Sequence, residues 1–379
     1  MENSTPAPDR LHAPPPLEDG LAQSIVTPAL VIDLGAARRN LRAVLERTAG
    51  PGRWRPHVKT AKVPAAMALF LDEGIRRFKC ATLREAEVLG RLLAGGAGGD
   101  VLLAHHLHGP ALDRLAKIAQ ATPEVVFSTL VESVEQVVDL PPGVGIFVDL
   151  DLGMHRTGAP LTEARAISAA AGPRLRGLHA YDGHRHEADP AERRHLVHMG
   201  YDELAALVRE LGAAGIEVAE VVTAGTPAFP AALEHPGLAT LPGTIHRVSP
   251  GTVVYHDLRS TAQNPDLSAE FAATVLTRVA SLPGEDRFTC DAGSKAIEAA
   301  APDMIAAALE IPGARCLGQS EEHTVFQTED GRPERGALLR LVPGHVCPTV
   351  NLANDAVLVE DGRLVGRAAV TARGHGLLE

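Results

Sequence analysis

The feature that most constrains this chain is a regular alternation between residues 34 and 248. Short β-branched or apolar runs recur at Arg55–Lys59, Phe78–Ala81, Val101–Ala104, Val125–Ser128, Gly145–Asp149, Leu175–Ala180, Val218–Thr223 and Ile245–Val248. Segments rich in Ala, Leu, Glu and Arg fill the gaps with helical spacing. They lie near Leu34–Arg47, Val63–Glu73, Leu83–Ala94, Pro110–Ala121, Ser133–Val138, Leu161–Ala171 and Ala191–Ala214. A strand that lies parallel to its predecessor needs a crossover long enough to hold a helix, so the cadence predicts parallel β/α units. Eight such units close most economically as a (β/α)8 TIM-type barrel of roughly 200–250 residues. An open doubly wound sheet is the alternative. No Gly-rich dinucleotide fingerprint follows the first strand, which counts against it.

The texture changes near residue 256. Val275–Ala280, Asp286–Asp291, Thr324–Gln327, Ala337–Val342 and Ala356–Glu360 read as strands separated by Gly, Pro and Asp turns, with helical pattern only at Ala300–Ala308. The expected organisation is a barrel over 36–255 and a mostly antiparallel C-terminal β domain over 256–379. A strand at Ala29–Asp33, within 27–35, is expected to join that domain. Residues 1–26 begin Pro-rich and polar, without a basic start followed by an apolar stretch, so they read as a disordered tail rather than a signal peptide. The 379 residues carry a net charge of -11, which argues against nucleic acid as a partner. The four cysteines, Cys80, Cys290, Cys316 and Cys347, show no C-x-x-C spacing. A reduced, cytoplasmic setting without disulfides is expected. No apolar run approaches the roughly 18–20 residues that a membrane span needs.

In a barrel of this kind reactive groups gather at the C-terminal strand ends. Polar residues concentrate there: Lys59, His105, Asp149-Leu150-Asp151, Tyr181–His186, Thr223–Thr226, and Arg247 with Pro250-Gly251-Thr252. The opposite ends show no such cluster. Lysine is scarce, with only Lys59, Lys62, Lys79, Lys117 and Lys295 among 36 basic residues, yet two fall in Pro56-His57-Val58-Lys59-Thr60-Ala61-Lys62. Guanidinium stays protonated, so an amine resists replacement where it must form a Schiff base. Lys59 is therefore a candidate imine-forming lysine; a solvated loop lysine is the other reading. After the seventh and eighth strands, Thr223, Gly225 and Thr226, then Gly251 and Thr252, set glycine beside hydroxyl. Glycine lets a backbone N–H approach an anion, and these two loops are the usual phosphate site of the architecture; ordinary loop glycine is the alternative. An imine lysine and a phosphate site together point to pyridoxal 5′-phosphate.

The motifs also carry a family resemblance, from Thr27 to the C-terminus. Pro56–Thr60, Gly153-Met154-His155-Arg156-Thr157-Gly158 and the Gly251-Thr252 loop resemble the alanine-racemase-type (fold type III) pyridoxal-phosphate enzymes. Within them, Leu178–His184, Asp291-Ala292-Gly293-Ser294-Lys295, Ser320–His323 and Pro343–Asn351 resemble the D-threonine aldolase and D-serine dehydratase branch, the aldolases most closely. The resemblance implies that Arg156 contacts the cofactor near its phenolate oxygen and that Tyr181 lies by its ring. It implies a divalent metal (Mn, Zn, Mg or Co) on His345 and Cys347, and a homodimer. On a strand, residues two apart share a face, and imidazole with thiolate suits zinc-like ions. Cys347 departs from the aldolase pattern, which often carries Asp there, and is similar to the dehydratases. The implied reaction cleaves a D-β-hydroxy-α-amino acid, such as D-threonine, to glycine and an aldehyde, with His184 or His186 as base. The alternatives are dehydration of D-serine to pyruvate and ammonia, racemisation with Tyr255 as the one nameable second base, and a non-catalytic cofactor-binding protein. His105, His106 and His108 lack matching ligands and read as loop. Lys295 is a rival lysine outside the barrel strands. Glu321, Glu322 and His323 read as loop or outer residues near the metal.

Overall fold

Each of the short apolar runs between residues 77 and 248 becomes a strand in the computed structural model, which describes residues 12–299, 304–329 and 331–376. In chain order the strands are β1 (Ala29–Asp33), β2 (Arg77–Cys80), β3 (Gly99–Leu103), β4 (Val125–Val131), β5 (Gly145–Asp149), β6 (Leu175–Ala180), β7 (Glu220–Thr223) and β8 (Ile245–Val248). They continue with β9 (Ala273–Ser281), β10 (Arg287–Cys290), β11 (Ala306–Ala308), β12 (Arg315–Gln319), β13 (Thr324–Gln327), β14 (Leu338–Pro343), β15 (Asp355–Glu360) and β16 (Arg363–Ala369). The chain divides into two units. One holds the residues up to Val44, Thr60–Leu69 and Thr252–Gly374; the other holds Leu45–Lys59, Phe70–Gly251 and the C-terminal residues from His375.

The second unit is the barrel. Strands β2 to β8 pair in parallel and in sequence order. The remaining stave is the segment before Lys59. Trp54 bridges to Val248 and His57 to Lys79, both in parallel. The Arg55 N–H donates to the Val248 carbonyl and the Lys79 N–H to the Pro56 carbonyl, so this stave links β8 to β2. Pro56 has no N–H and restrains the residue before it, which explains why the stave is a pair of bridges rather than a continuous strand. Leu102, Leu130, Phe147 and Val222, from four different strands, pack together in one apolar cluster.

The N-terminal strand ends correct one expectation. They are not free of charge clusters. The Arg55 guanidinium is fully buried; it donates to both carboxylate oxygens of Glu220 at 2.6 and 2.8 Å and to Asp100 at 2.7 Å. Arg247 lies within β8 and pairs with Glu220 at 2.7 Å, so it does not belong with the loop that follows. These partners sit 45 and 165 residues from Arg55, which is why sequence proximity conceals the cluster. A buried charge of this kind persists only when it is paired and hydrogen-bonded.

The first unit is built on a mixed sheet ordered β12-β13-β10-β9-β1-β15-β16, with β14 on β9 and β11 on β14. Among the described residues of this sheet, only β1 and β15 pair in parallel. Phe288 and Phe326 stack at 5.2 Å in its core beside Val279 and Leu339. The expected disordered tail is corrected over residues 12–26, while residues 1–11 lie outside the described residues. Helix Asp19–Ser24 forms there, and Leu17, Leu21 and Ile25 pack against Val31, Leu276 and Val359. Arg340 donates to the carbonyls of Pro14 and Pro15 at 3.0 and 2.9 Å. The expected helix at Ala300–Ala308 is also corrected. Residues 300–303 lie outside the described residues, and Ala306–Ala308 form β11, antiparallel to Leu341–Pro343. Alanine favours a helix, but pairing on a buried edge decides the outcome here.

Candidate functional site

At the C-terminal end of the first stave, Lys59 is half-buried, and His57 Nδ1 accepts its backbone N–H at 3.3 Å. Gly251 makes this turn possible, because a Cβ there would lie 2.3 Å from the His57 carbonyl oxygen. Beside the stave, on β2, Lys79 is fully buried. Its Nζ lies 3.4 Å from His179 Nε2. His179 Nδ1 meets Asp149 Oδ1 at 2.6 Å, and Asp149 Oδ2 meets His106 Nε2 at 3.0 Å. Glu132 stands 3.6 Å from the same His106 nitrogen and accepts the Gly158 N–H at 2.7 Å.

The electrostatics follow from this chain. Burial alone would raise the Asp149 carboxyl, but hydrogen bonds from His106 and His179 outweigh it and hold the group well below the usual carboxylate range. Burial opposes charge on His106, yet its bond to Asp149 raises it above the ordinary imidazole value. Burial and then Lys79 lower His179. Burial, reinforced by nearby Lys59, pushes the Lys79 amine down to about 7. His106, Glu132 and Asp149 form the only trio of metal-type ligands among the described residues, with ligand atoms all within 4.8 Å. A His106 nitrogen already sits on Asp149 Oδ2, so the imidazole occupies the carboxylate oxygen that a cation would need. The loop reading of His106 is corrected: its ligands come from the ends of β4 and β5, unseen in the local sequence. His105 and His108 are exposed, as a loop requires.

Tyr181, after β6, presents its ring to two cations: Lys79 Nζ lies 5.4 Å and Arg156 Cζ 5.1 Å from the ring centroid. Gly183 and Gly225 flank this ring, and a Cβ on either would crowd it at 2.3 and 3.1 Å. Arg156 rides on a loop braced by Asp151, whose Oδ1 accepts the N–H groups of Gly153, Met154 and His155 at 2.9, 2.8 and 3.1 Å. Buried Asp182 accepts the Gly225 N–H at 3.3 Å and the Tyr201 hydroxyl. The Gly225 donor is thus engaged within the protein. Thr223 is fully buried, and its hydroxyl pairs with His246 Nε2 at 2.8 Å. Its place as an anion donor is corrected, because the last residue of β7 turns onto β8. Thr226 is buried in the same loop.

The two loop histidines separate clearly. Both ring nitrogens of His184 are buried and have no hydrogen-bond partner among the described residues. Burial, then Arg185, lowers its pKa, so the ring is neutral at neutral pH. His186 is exposed.

In the first unit, His345 and Cys347 do not sit on a strand. Strand β14 ends at Pro343, His345 occupies the N-cap position of helix Val346–Leu352 without a side-chain capping bond, and Cys347 lies in its first turn. The pair still face one another: burial opposes charge on His345, but its hydrogen bond to Cys347 raises its pKa. Asp257 Oδ2 accepts the Val346 N–H between them at 3.0 Å, satisfying a helix-start donor. Cys347 Sγ lies 2.9 Å from the hydroxyl of Thr60, the residue after Lys59 in the chain, and 3.4 Å from that of Thr252. Imidazole and thiol held together in this way fit a divalent ion. Lys295 is exposed and pairs with Glu322 and Glu321 at 2.8 and 3.1 Å, and these acids raise its pKa. It stays protonated, and Glu321 and Glu322 are spent on it rather than on a metal. Tyr255 is fully buried; burial raises its pKa, and its hydroxyl donates to the Ala61 carbonyl at 2.8 Å.

The barrel-mouth set fits pyridoxal phosphate: an amine for its carbonyl, a cation in Arg156 for its ring oxygen, and glycines where side chains would collide. Comparison with known proteins agrees. The family model described as alanine racemase, N-terminal domain, matches residues 32–258, and that of a putative serine dehydratase domain matches 272–359. The D-threonine aldolase of an Arthrobacter species is 31% identical, over 95% of this chain and 96% of its own. The 3-hydroxy-D-aspartate aldolase of Paracoccus denitrificans is 29% identical over the same shares. The crystal structure of D-threonine aldolase from Filomicrobium marinum matches with a TM-score of 0.83 at 28% identity, covering 97% of this chain and 98% of that one. No helix among the described residues is long and apolar enough to cross a membrane. From its matched domains, its near-complete alignment and its barrel, the chain belongs to the alanine-racemase-type (fold type III) pyridoxal-phosphate enzymes, in the branch of the D-threonine aldolases and D-serine dehydratases.

Proposed function

We propose that this lyase cleaves D-β-hydroxy-α-amino acids of the D-threonine type to glycine and an aldehyde. The observation that carries the reading is His184, a neutral imidazole whose two buried nitrogens have no partner among the described residues. Retro-aldol cleavage needs a base for the β-hydroxyl proton, and His184 is the group in that state. The names of the relatives, aldolases acting on D-threonine and 3-hydroxy-D-aspartate, support the same substrate class.

Lys59 supplies the amine that carries the cofactor. Arg156 and Tyr181 orient its ring, and the close approach of Gly251 to His57 sets the position of the lysine. His345 and Cys347 hold the divalent ion, with Thr60 and Thr252 bracing the sulfur. When bound, the cofactor offers an electron sink at Cα and the ion a Lewis acid for the hydroxyl oxygen. His184 takes the hydroxyl proton as the Cα–Cβ bond breaks, and a proton returns to Cα as glycine forms. Racemisation would need a second base, and Tyr255 is held by Ala61.

Dehydration is the second reading, favoured by Cys347 and by the matched serine dehydratase domain. Separate incubations with D-threonine and with D-serine, each with pyridoxal phosphate and Mn²⁺, decide between them. Equal amounts of glycine and acetaldehyde support cleavage; pyruvate from D-serine with no acetaldehyde from D-threonine would assign the dehydratase. A homodimer follows from the resemblance, with light scattering as its test. A cytoplasmic location accords with four cysteines that form no disulfide among the described residues.

A further inference from the structure

Lys79 has no place in the reaction just described, yet it is a buried amine inside the barrel. It is fully buried and forms no ion pair with any described residue; its polar contact is His179 Nε2 at 3.4 Å. An unbranched apolar side chain would fill the same space without the cost of desolvating an amine. Something other than packing keeps the amine there.

The hydrogen-bond chain has one consistent direction. Asp149 is ionised and only accepts, so His179 Nδ1 must donate to Oδ1 and His106 Nε2 must donate to Oδ2. A neutral His179 then has a bare lone pair on Nε2. Lys79 Nζ carries an N–H whether it is amine or ammonium, so it donates to that lone pair. We propose that Lys79 is a positioning residue, which locks His179 as the Nδ1–H tautomer and removes it from acid–base chemistry at the barrel mouth.

The consequence concerns proton traffic. With Nε2 occupied, His179 cannot take a proton, and His184 is left as the loop imidazole able to do so. The charged and titratable groups that act on Lys79 are His179 on β6, Asp149 on β5, Asp182 after β6, Lys59 at the end of the first stave and Arg55 within it. Their balance, with burial the largest influence, places the amine near the neutral range, at about 7. The inference rests on the reading of Lys59 as the cofactor lysine, but its test does not.

The test is ¹⁵N-histidine NMR of the purified protein, with His179 assigned through His179→Gln. In the unaltered protein His179 should show the neutral Nδ1–H pattern, unchanged from about pH 6 to 9. In Lys79→Met the freed Nε2 should titrate, and the pH profile of cleavage should gain a limb that the unaltered enzyme lacks. Lys79→Arg restores the donor and should restore both patterns. An Nε2–H or protonated His179 in the unaltered protein would overturn the proposal even if Lys79→Met fails to fold. So would a Lys79→Met protein whose His179 spectrum and pH profile match the original. Lys59→Ala that stays yellow would instead overturn the cofactor reading and leave the His179 result standing.

Discussion

Gly251→Ala places one methyl group where the barrel has no room for it. The new Cβ would lie 2.3 Å from the His57 carbonyl oxygen and 3.0 Å from His57 Cβ. Ordinary contact begins near 3.4 Å, so the two segments must part by about 1 Å. The closest atom is backbone, and no flexible side chain can yield in its place. Overpacking of this kind costs roughly 1–3 kcal/mol of stability. The displacement acts on His57, whose Nδ1 receives the Lys59 N–H. A misplacement of about 1 Å at a positioned reactive group costs on the order of 100-fold in rate. Urea unfolding, absorbance titration with pyridoxal phosphate and the rate of D-threonine cleavage read the three effects. Gly52→Ala is the control, because Gly52 is exposed and a Cβ there meets nothing within 4 Å. A Gly251→Ala enzyme with the cofactor affinity and turnover of the original would refute the link from this contact to Lys59.

Four further outcomes are expected. Lys59→Ala abolishes the yellow absorbance band, whereas Lys295→Ala keeps it. His184→Ala lowers cleavage by roughly 100- to 10,000-fold, the usual scale for a lost general base, and His186→Ala leaves it nearly unchanged; equal effects would remove the distinction drawn from burial. Chelation, or His345→Ala, stops cleavage and leaves the yellow band intact, while full turnover in metal-free enzyme would make His345 and Cys347 structural. Lys79 titrates at about 7 in the fold and near 10.5 when unfolded, so between those values the unfolded chain binds the extra proton. Its contribution to stability therefore rises with pH across that window and is lowest below pH 7, by up to about 5 kcal/mol. Comparing urea midpoints of the original protein and Lys79→Met from pH 7 upward tests this, and parallel curves would count against it.

The barrel was legible because most strands are short apolar runs and most crossovers periodic helices, both local properties, whereas the short helices Phe229–Glu234 and Pro236–Ala239 between β7 and β8 were missed. Lys59, Arg156, Tyr181, His345 and Cys347 stood out through residue type and motif. Lys79, Asp149, His179 and His106 escaped as a set because their meeting is not local. Asp149 lies 30 residues from His179 and 43 from His106, and Lys79 lies 100 from His179. Only parallel pairing brings them together. A charged residue inside an otherwise apolar strand, as at Lys79 and Asp149, was the one signal that could have found them. The strand reading of His345 and Cys347 failed because Pro343-Gly344 ends β14 just before them. The helix that follows depends on Asp257, 89 residues away, for one of its caps.

Borohydride reduction of the yellow protein, followed by peptide mass spectrometry, addresses the central claim most directly. Reduction makes the link between lysine and cofactor permanent, and fragmentation locates it. The pyridoxyl group is expected on Lys59, within the tryptic peptide Trp54–Lys62, because the Arg55-Pro56 bond resists cleavage. Its appearance on Lys79 or Lys295, or on no lysine at all, would contradict the account.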